Sequence, residues 1–311
     1  MLTPNSIPQI WTSSSLELLA SCPFKYKLVV LEGWSSNHGK SIHLDAGGVL
    51  ASAFEATRTA YYLGNEKEDM AIAAGLLVLL KSDLPMDGKK SLPSCVDSFL
   101  GYWNKWPLSD SRPVNVAGRS GIEFSFSRCL TGEGDIFFGR ADALLQTSIG
   151  SYITDEKTCS SVGADWGEQW KLRAQFIGYA WATALLPLEL KIKGVNVRGL
   201  RILPQSTTGH KATTSGPLYP EALIPIASKS LQEEWLKRTL HLVEVAKNRN
   251  FYKALGEPCN AYGGCQFRGV CSSNYPDAIL RENFHQKWYN PMSREDQDTP
   301  WWTEDFDGEK V

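Results

Sequence analysis

The sequence predicts a mixed α/β domain in which helices flank one central sheet. Helical patterns fill the first third of the chain, and three strand-like runs, the first with period-two alternation, follow between about residues 121 and 158. A further helical pattern, a strand and another helix come after them. This order of elements is typical of a sheet that buries its faces under helices.

Four helices are predicted ahead of the strands. The first begins with Ser14 and Glu17 in the spacing of a capping box, and Pro23 ends it after Cys22. Asp45 and Asp69 are the predicted caps of the second and third helices. The fourth helix covers the segment SCVDSFLGYWNKW.

The three strands are expected to form an antiparallel meander because they are close in the sequence. They read GIEFSFSRCL, DIFFGRADALLQ and SYITDEKT. A long helix, DWGEQWKLRAQFIGYAWATALL, is then predicted to end at Pro187, before the strand GVNVRGLRIL and an amphipathic helix over 227–249. We expect residues 1–275 to form one domain and residues 276–311 to form an acidic, aromatic tail.

The composition is that of a folded protein without a membrane-spanning segment. Of 311 residues, 42% are hydrophobic and 21% are charged. No apolar run is long enough to cross a bilayer, and the amino terminus lacks the pattern of a secretory signal. We therefore expect a cytoplasmic protein with no membrane partner, in which seven cysteines favour metal binding or catalysis over disulfides.

Charge is unevenly distributed along the chain. The net charge is −2, but residues 294–311 hold seven acidic and two basic groups. The remainder is therefore mildly basic, which is compatible with DNA binding without requiring it. The tail combines these acids with Trp301, Trp302 and Phe306, a composition suited to docking on a protein partner or on the domain itself.

The strongest chemical signal is GRAD at 139–142, followed by DEK at 155–157. Strand alternation places Asp155 and Lys157 on one face and Glu156 on the other, with Asp142 on the neighbouring strand. A Mg²⁺ ion commonly takes one or two carboxylates together with substrate phosphate. A nearby lysine can orient water and stabilise developing negative charge. For D-x-K alone, a surface ion pair is the alternative.

The helix after these strands adds polar groups to the same region. Gln175 and Tyr179 are four residues apart and therefore share a helix face. Lys171 and Arg173 precede them by about one turn and are suited to phosphate contacts.

Together, GRAD, DEK and QFIGY resemble the motifs G-x-x-D, D/E-x-K and Q-x-x-x-Y of the RecB-like branch of the PD-(D/E)xK nucleases. The pattern is most similar to iron–sulfur nucleases of CRISPR adaptation, the AddB nuclease domain and related phage exonucleases. The resemblance implies a restriction-endonuclease-like core and a metal-dependent DNA exonuclease of phage or bacterial recombination, repair or processing. Its substrate would be DNA with free ends, single strands included. The implied residues are Asp142, Asp155 and the Glu156 carbonyl as ligands of Mg²⁺ or Mn²⁺, Lys157 as the catalytic lysine, and Gln175 and Tyr179 as substrate contacts or organisers of the site.

One position departs from the family pattern G-x-x-x-H-x-x-x-E. In GGVLASAFE, Gly47 and Glu55 match, but Ala51 stands where the metal-binding histidine is expected. Glu55 is our candidate substitute, and His43 is a weaker one. Glu123, on the preceding strand, either faces the site or covers an exposed face, and we favour the second interpretation. The missing histidine also supports an alternative function, a catalytically weak or inactive DNA-binding or assembly subunit.

The cysteine-rich segment near the carboxyl terminus indicates a second metal site. Cys259, Cys265 and Cys271 are separated by five residues each, with glycines between them. The resemblance implies that Cys22, which precedes Pro23, joins them in a [4Fe–4S] cluster that ties the two ends of the domain together. Zinc and free thiols are the alternatives, although C-x-x-C knuckles typical of zinc sites are absent from this segment.

Overall fold

The structure is a computed structural model that describes residues 7–37, 42–88, 90–116, 118–159, 161–186, 191–203, 217–261, 264–288 and 290, without the side chains of 42–45. The strands in this part of the chain are β1 (Ile10–Thr12), β2 (Trp34–Ser36), β3 (Arg112–Pro113), β4 (Asn115–Val116), β5 (Arg119–Ser120), β6 (Ile122–Cys129), β7 (Ile136–Thr147), β8 (Gly150–Cys159), β9 (Ile192–Arg201), β10 (Glu221–Pro225) and β11 (Phe284–Gln286). The α-helices are α1 (Ser13–Ser21), α2 (Pro23–Tyr26), α3 (Ile42–Arg58), α4 (Glu68–Leu80), α5 (Leu92–Lys105), α6 (Ala174–Thr183), α7 (Lys229–Lys247), α8 (Glu257–Asn260), α9 (Arg268–Ser272) and α10 (Pro276–Asn283).

Seven strands form one mixed sheet. Its order is β1-β7-β8-β9-β10, and β3 and β6 also pair with β7. The predicted meander is present, because β6, β7 and β8 pair antiparallel, while β8 and β9 pair in parallel. One large hydrophobic cluster joins the sheet to α1, α6 and α7, and another joins α3, α4 and α5 to the end of β9. The mixed sheet with helices around it confirms the predicted fold class.

The strands β7 and β8 separate halfway along their length. Their pairing starts at the turn and ends with the pair Ala143–Thr154. At the start of β7, away from the turn, residues 136–138 pair with strand β1 instead. Residues 155–159 of β8 continue to pair with β9. This split, called the seam below, leaves Asp142 and Asp155 as the first residues beyond the last β7–β8 pair.

The ladder between β6 and β7 is irregular at the same level. The register places Glu123 opposite Asp142, yet the two do not pair, and Glu123 has a φ of +49°. This left-handed conformation is uncommon for a residue other than glycine. The neighbours Ile122 and Phe124 consequently belong to different hydrophobic clusters, so the strand alternation is interrupted beside Asp142.

Several predicted helix starts are wrong by a few residues. The capping box of α1 is formed by Thr12 and Ser15, not by Ser14 and Glu17. The second helix begins at Ile42, so that Asp45 lies within it, and the third begins at Glu68. Capping motifs predict a helix near these sites, but several polar residues compete for each cap.

The helix predicted to begin near residue 165 is much shorter than expected. Arg173 has an extended backbone, with φ of −68° and ψ of 117°, and α6 begins only at Ala174. Trp166 and Trp170 pack edge to face, with ring centroids 5.5 Å apart, in the irregular segment ahead of the helix. Burial of these rings explains why an apolar, helix-like pattern continues outside the helix.

The two ends of the described chain meet. Helix α1 ends at Ser21, and Pro23 begins α2, as the sequence predicts for the stop at Cys22. The N–H of Phe24 donates to the carbonyl of Tyr252 at 3.0 Å, and β11 pairs with β2. Helix α10 and β11 fall within the segment assigned to the tail; the boundary at residue 275 stays a prediction, and residues 291–311 lie outside the described part.

None of the helices that the structure describes has the length and apolar character required to span a membrane.

Candidate active site

Asp142 and Asp155 lie on opposite sides of the seam. The backbone N–H of Glu156 donates to Asp142 Oδ2 at 2.9 Å, which connects β8 to β7 beyond their last ladder pair. Burial, followed by the charges of Asp155 and Glu156, raises the pKa of Asp142 well above its usual range. Burial also raises the pKa of Asp155. Two carboxyl groups that share a site depleted of water therefore disfavour each other's ionisation.

Lys157 lies on the same face of β8 as Asp155, as strand alternation predicts. Its Nζ is 2.5 Å from Asp155 Oδ1 and 3.4 Å from Gln175 Oε1. Burial opposes the charged form, but the charges of Asp155 and Asp142 outweigh it and raise the pKa of Lys157. The side chain is therefore an ammonium at neutral pH.

Helix α6 supplies the polar groups that hold this arrangement. Gln175 Nε2 donates to Asp155 Oδ2 at 3.3 Å and to the Tyr179 hydroxyl at 3.0 Å. The Tyr179 hydroxyl in turn donates to the carbonyl of Arg140 at 2.6 Å. Since Arg140 lies in the part of β7 from which β8 has diverged, this hydrogen bond acts where strand pairing with β8 is absent. Burial raises the pKa of Tyr179, so the phenol stays protonated.

Gly139, the first residue of GRAD, makes room for Tyr179. A Cβ at this position would lie 2.4 Å from the ring of Phe126 and 3.0 Å from the ring of Tyr179. A side chain here would push the Tyr179 ring away from β7. The sequence motif contains this glycine, but only the packing shows why it is needed.

Glu156 points to the other side of the sheet, also as predicted. Its carboxylate contacts the guanidinium of Arg58 and accepts a hydrogen bond from the Tyr102 hydroxyl at 2.6 Å. Its backbone N–H faces the seam, and its carboxylate also interacts with Asp142.

Glu123 lies beside the site. The favoured interpretation, that it covers an exposed face, was wrong. Its carboxylate forms an ion pair with Arg140 at 3.3 Å, and its side chain is 20% exposed. Burial and then the charge of Glu55 raise the pKa of Glu123 to about 7. Glu123 also acts electrostatically on Asp142, so it links Glu55 of α3 to the seam. The side chain of His43 lies outside the described part of the chain.

The two basic residues predicted to contact phosphate form surface ion pairs. Lys171 pairs with Glu168 at 2.7 Å, and Arg173 pairs with Glu17 at 3.2 Å. The charge of Arg173 influences Asp155, which places Arg173 at the margin of the site. Phosphate binding by either residue stays a prediction.

The oxygen donors at the seam suit a hard divalent cation. In the described residues, no three His, Cys, Asp or Glu side chains group closely enough to hold a metal ion. Asp142, Asp155 and the Glu156 carbonyl would contribute oxygens to the shell of Mg²⁺ or Mn²⁺, and water or phosphate would supply others. Asp155 Oδ1 lies 2.5 Å from the Lys157 ammonium. The buried, unfavourable proximity of Asp142 and Asp155 fits a cation between them.

The four cysteines predicted to bind a cluster lie at the meeting of the two chain ends. Burial raises the pKa of the Cys271 thiol; Lys253 opposes this effect, and the charges of Cys265, Cys22 and Cys259 add to it. Cys22 is therefore within electrostatic range of Cys271. The thiols do not form a metal-binding group in the part of the chain that the structure describes.

Comparison with known proteins agrees with this geometry at the level of the superfamily. A solved structure titled "Crystal structure of SSO0001" covers 63% of this chain and 74% of its own, with 14% identity and a TM-score of 0.24, which is too low to support an argument. No curated protein matches, and nothing found points to an iron–sulfur branch. A family model described as PD-(D/E)XK nuclease superfamily matches residues 10–272, which include the whole seam. The chain therefore belongs to the PD-(D/E)XK nuclease superfamily.

Proposed function

We propose that this protein is a metal-dependent deoxyribonuclease that degrades DNA from free ends. Superfamily membership supports hydrolysis of phosphodiester bonds. The observation that carries the proposal is the meeting of Asp142, Asp155 and a charged Lys157 at the seam. The resemblance of GRAD, DEK and QFIGY to RecB-like motifs supports DNA as the substrate, exonuclease action, and a role in phage or bacterial recombination, repair or processing.

Each residue at the seam has a role in this reaction. Asp142, Asp155 and the Glu156 carbonyl would hold Mg²⁺ or Mn²⁺, which when bound supplies Lewis acidity and makes water more acidic. The Lys157 ammonium orients the attacking water and stabilises the negative charge that develops on the phosphate. Gln175 contacts both Asp155 and Lys157 and so keeps the two groups turned towards each other.

Residues around the seam are assigned supporting roles. Arg173 and Lys171 would contact DNA phosphates, since both are exposed to solvent on the α6 side. Glu55 would supply an oxygen where the family pattern has a histidine at Ala51. Its electrostatic contact with Glu123 supports a place on the α3 side of the site.

Digestion of labelled single-stranded DNA tests this function. We expect short products from a linear oligonucleotide in Mg²⁺ or Mn²⁺, and none from a circular DNA of the same length. The Lys157→Ala variant should digest the oligonucleotide about 10²- to 10³-fold more slowly. Lys193→Ala is a matched control, because Lys193 Nζ donates to the Ile149 carbonyl at the far end of β8.

The results separate the candidate functions. Activity that survives Lys157→Ala would contradict the assignment of Lys157, and cleavage of the circle would contradict the exonuclease part. A protein that folds and binds DNA, but cleaves neither substrate with either metal, would instead be the DNA-binding or assembly subunit.

We propose in addition that Cys22, Cys259, Cys265 and Cys271 hold a [4Fe–4S] cluster. The hydrogen bond from Phe24 to Tyr252, which joins the two chain ends beside Cys22, and the electrostatic effect of Cys22 on Cys271 support this proposal. Anaerobically purified protein should contain about four irons and four sulfides per chain. The Cys22→Ala variant should lose the iron and sulfide and unfold at a lower temperature, since metal binding and folding are coupled. Cys95→Ala, a buried cysteine in α5, should retain them. A content of one zinc per chain, without iron, would contradict the cluster and indicate a zinc site instead.

Docking of the acidic, aromatic tail on a protein partner also stays a proposal, because residues 291–311 lie outside the described part of the chain.

A further inference from the structure

A buried ionic network lies behind the seam, on the opposite face of β8. The guanidinium of Arg58, from α3, contacts the carboxylate of Glu156, and the hydroxyl of Tyr102, from α5, donates to the same oxygen. The Arg58 and Glu156 side chains are 2% and 7% exposed. The Arg58 guanidinium also lies 5.9 Å from the ring centroid of Phe54 and 5.8 Å from that of Trp103.

Both members of the ion pair keep their charges. Burial opposes the charged form of Arg58, but Glu156, Tyr102 and Asp142 together outweigh it and raise the arginine pKa. Burial likewise opposes the charged form of Glu156, and Arg58 with Tyr102 outweighs it and lowers the carboxyl pKa. Buried ion pairs are costly to desolvate, and apolar residues of similar size are often equally stabilising. Stability of the fold alone is therefore a poor explanation for this network.

The position of Glu156 in the chain suggests a different role. Its backbone N–H bonds Asp142 across the seam, and its two neighbours are Asp155 and Lys157. At this level no β7–β8 ladder sets the distance between the two strands. The Glu156 side chain connects this segment to α3 through Arg58 and to α5 through Tyr102.

We propose that Arg58 and Tyr102 are positioning residues of the active site. By holding the Glu156 carboxylate, they fix the backbone that presents Asp155, Lys157 and the N–H bound to Asp142. The network lies on the face of β8 opposite to Asp155 and Lys157. From there it sets the distance between the Asp142 and Asp155 carboxylates. Its catalytic consequence rests on the proposed nuclease function.

Replacing the whole network with apolar residues distinguishes a role in positioning the active site from a role in stabilising the fold. The variant Arg58→Met, Glu156→Leu, Tyr102→Phe removes the Arg58 and Glu156 charges together, so that neither is left without the other. We expect its melting temperature to stay close to that of the wild type, while kcat on a labelled oligonucleotide falls about 10- to 100-fold at nearly unchanged KM. Titration with Mn²⁺ alone in a calorimeter should show affinity weakened by about 10- to 100-fold.

Hydrogen exchange gives a readout that does not depend on catalysis. The amide at position 156, which donates to Asp142, should exchange faster in the triple variant, whereas the amide of Thr154 within the β7–β8 ladder should not. Asp135→Asn is the control, because Asp135 precedes β7, seven residues before Asp142, and accepts hydrogen bonds from Trp11 and Lys247 rather than from residues of the seam. It should lower the melting temperature and leave kcat, Mn²⁺ affinity and exchange at position 156 unchanged.

The outcomes decide the proposal. A folded triple variant with wild-type kcat, Mn²⁺ affinity and exchange at position 156 would overturn it. If the triple variant does not fold, Tyr102→Phe alone should accelerate exchange at position 156 and weaken Mn²⁺ binding, and no change in either would also overturn it. If the wild type cleaves no DNA, the proposed function fails, while the exchange and Mn²⁺ measurements still decide whether the network positions the seam.

Discussion

Tyr179→Phe is the substitution that best tests how α6 organises the seam. It removes one hydroxyl from a ring that is 4% exposed. That hydroxyl donates to the Arg140 carbonyl at 2.6 Å and accepts from Gln175 Nε2 at 3.0 Å. Both hydrogen bonds are lost in the variant, while the ring can keep its packing.

The magnitude follows from these two contacts. Removing one partner of a buried hydrogen bond costs about 1–3 kcal/mol, so the free energy of unfolding should fall by about that amount. Gln175 loses an anchor and is free to turn away from Asp155 and Lys157, which it contacts at 3.3 and 3.4 Å. If the transition state experiences the same loss, kcat falls by about 10- to 100-fold, since about 1.4 kcal/mol corresponds to tenfold.

Urea unfolding and oligonucleotide digestion measure the two effects separately. Tyr62→Phe is the matched control, because the Tyr62 hydroxyl donates to the Leu108 carbonyl at 2.8 Å outside the seam. We expect both variants to lose similar stability and only Tyr179→Phe to lose activity. Wild-type kcat in Tyr179→Phe, or an equal loss of kcat in Tyr62→Phe, would refute the role assigned to α6.

Three further predictions follow from the structure. Asp142→Asn should raise the melting temperature of metal-free protein in EDTA and abolish Mn²⁺ binding, because burial and neighbouring acids disfavour the Asp142 charge; a lower melting temperature would contradict this. Gly139→Ala should lower the free energy of unfolding in urea by about 1–3 kcal/mol and reduce kcat as Tyr179→Phe does. The added Cβ would lie 2.4 Å from the Phe126 ring. Wild-type stability and kcat would show that the Phe126 ring moves aside. Asp135→Asn should destabilise by about 1.5–3 kcal/mol with unchanged kcat. Although burial opposes it, hydrogen bonding to Lys247 lowers the pKa of Asp135 from 3.8. Its stabilisation is therefore complete above that pH and lost as the pH falls through the lowered native value, and unfolding midpoints of variant and wild type should converge in acid.

Local patterns were sufficient to predict the strands and side-chain faces that build the site. Period-two alternation places Asp155 and Lys157 on one face of β8 and Glu156 on the other, and the structure agrees. Spacing of four residues places Gln175 beside Tyr179, and the two are hydrogen-bonded. These relations depend on the geometry of one strand or one helix, so neighbouring residues determine them.

Short elements and exact helix ends were harder to predict. Strand β1 has three residues and exists because it pairs with β7 beside the seam. The long helix predicted before Pro187 was wrong, because the chain is extended at Arg173 and the segment before it contains turns and a short 3-10 helix, Glu168–Trp170. Strands of this length contain too few residues for an alternation pattern, and buried aromatic residues fit several backbone conformations.

The sequence by itself determined the family motifs, the central strands and the faces of β8 on which Asp155, Glu156 and Lys157 lie. Only the tertiary structure decided how the seam is held. The split between β7 and β8, the left-handed Glu123 beside Asp142, and the contact of Arg58 with Glu156 across 98 residues of chain all depend on packing between distant segments. No local periodicity encodes such contacts, because their partners become neighbours only when helices close over the sheet.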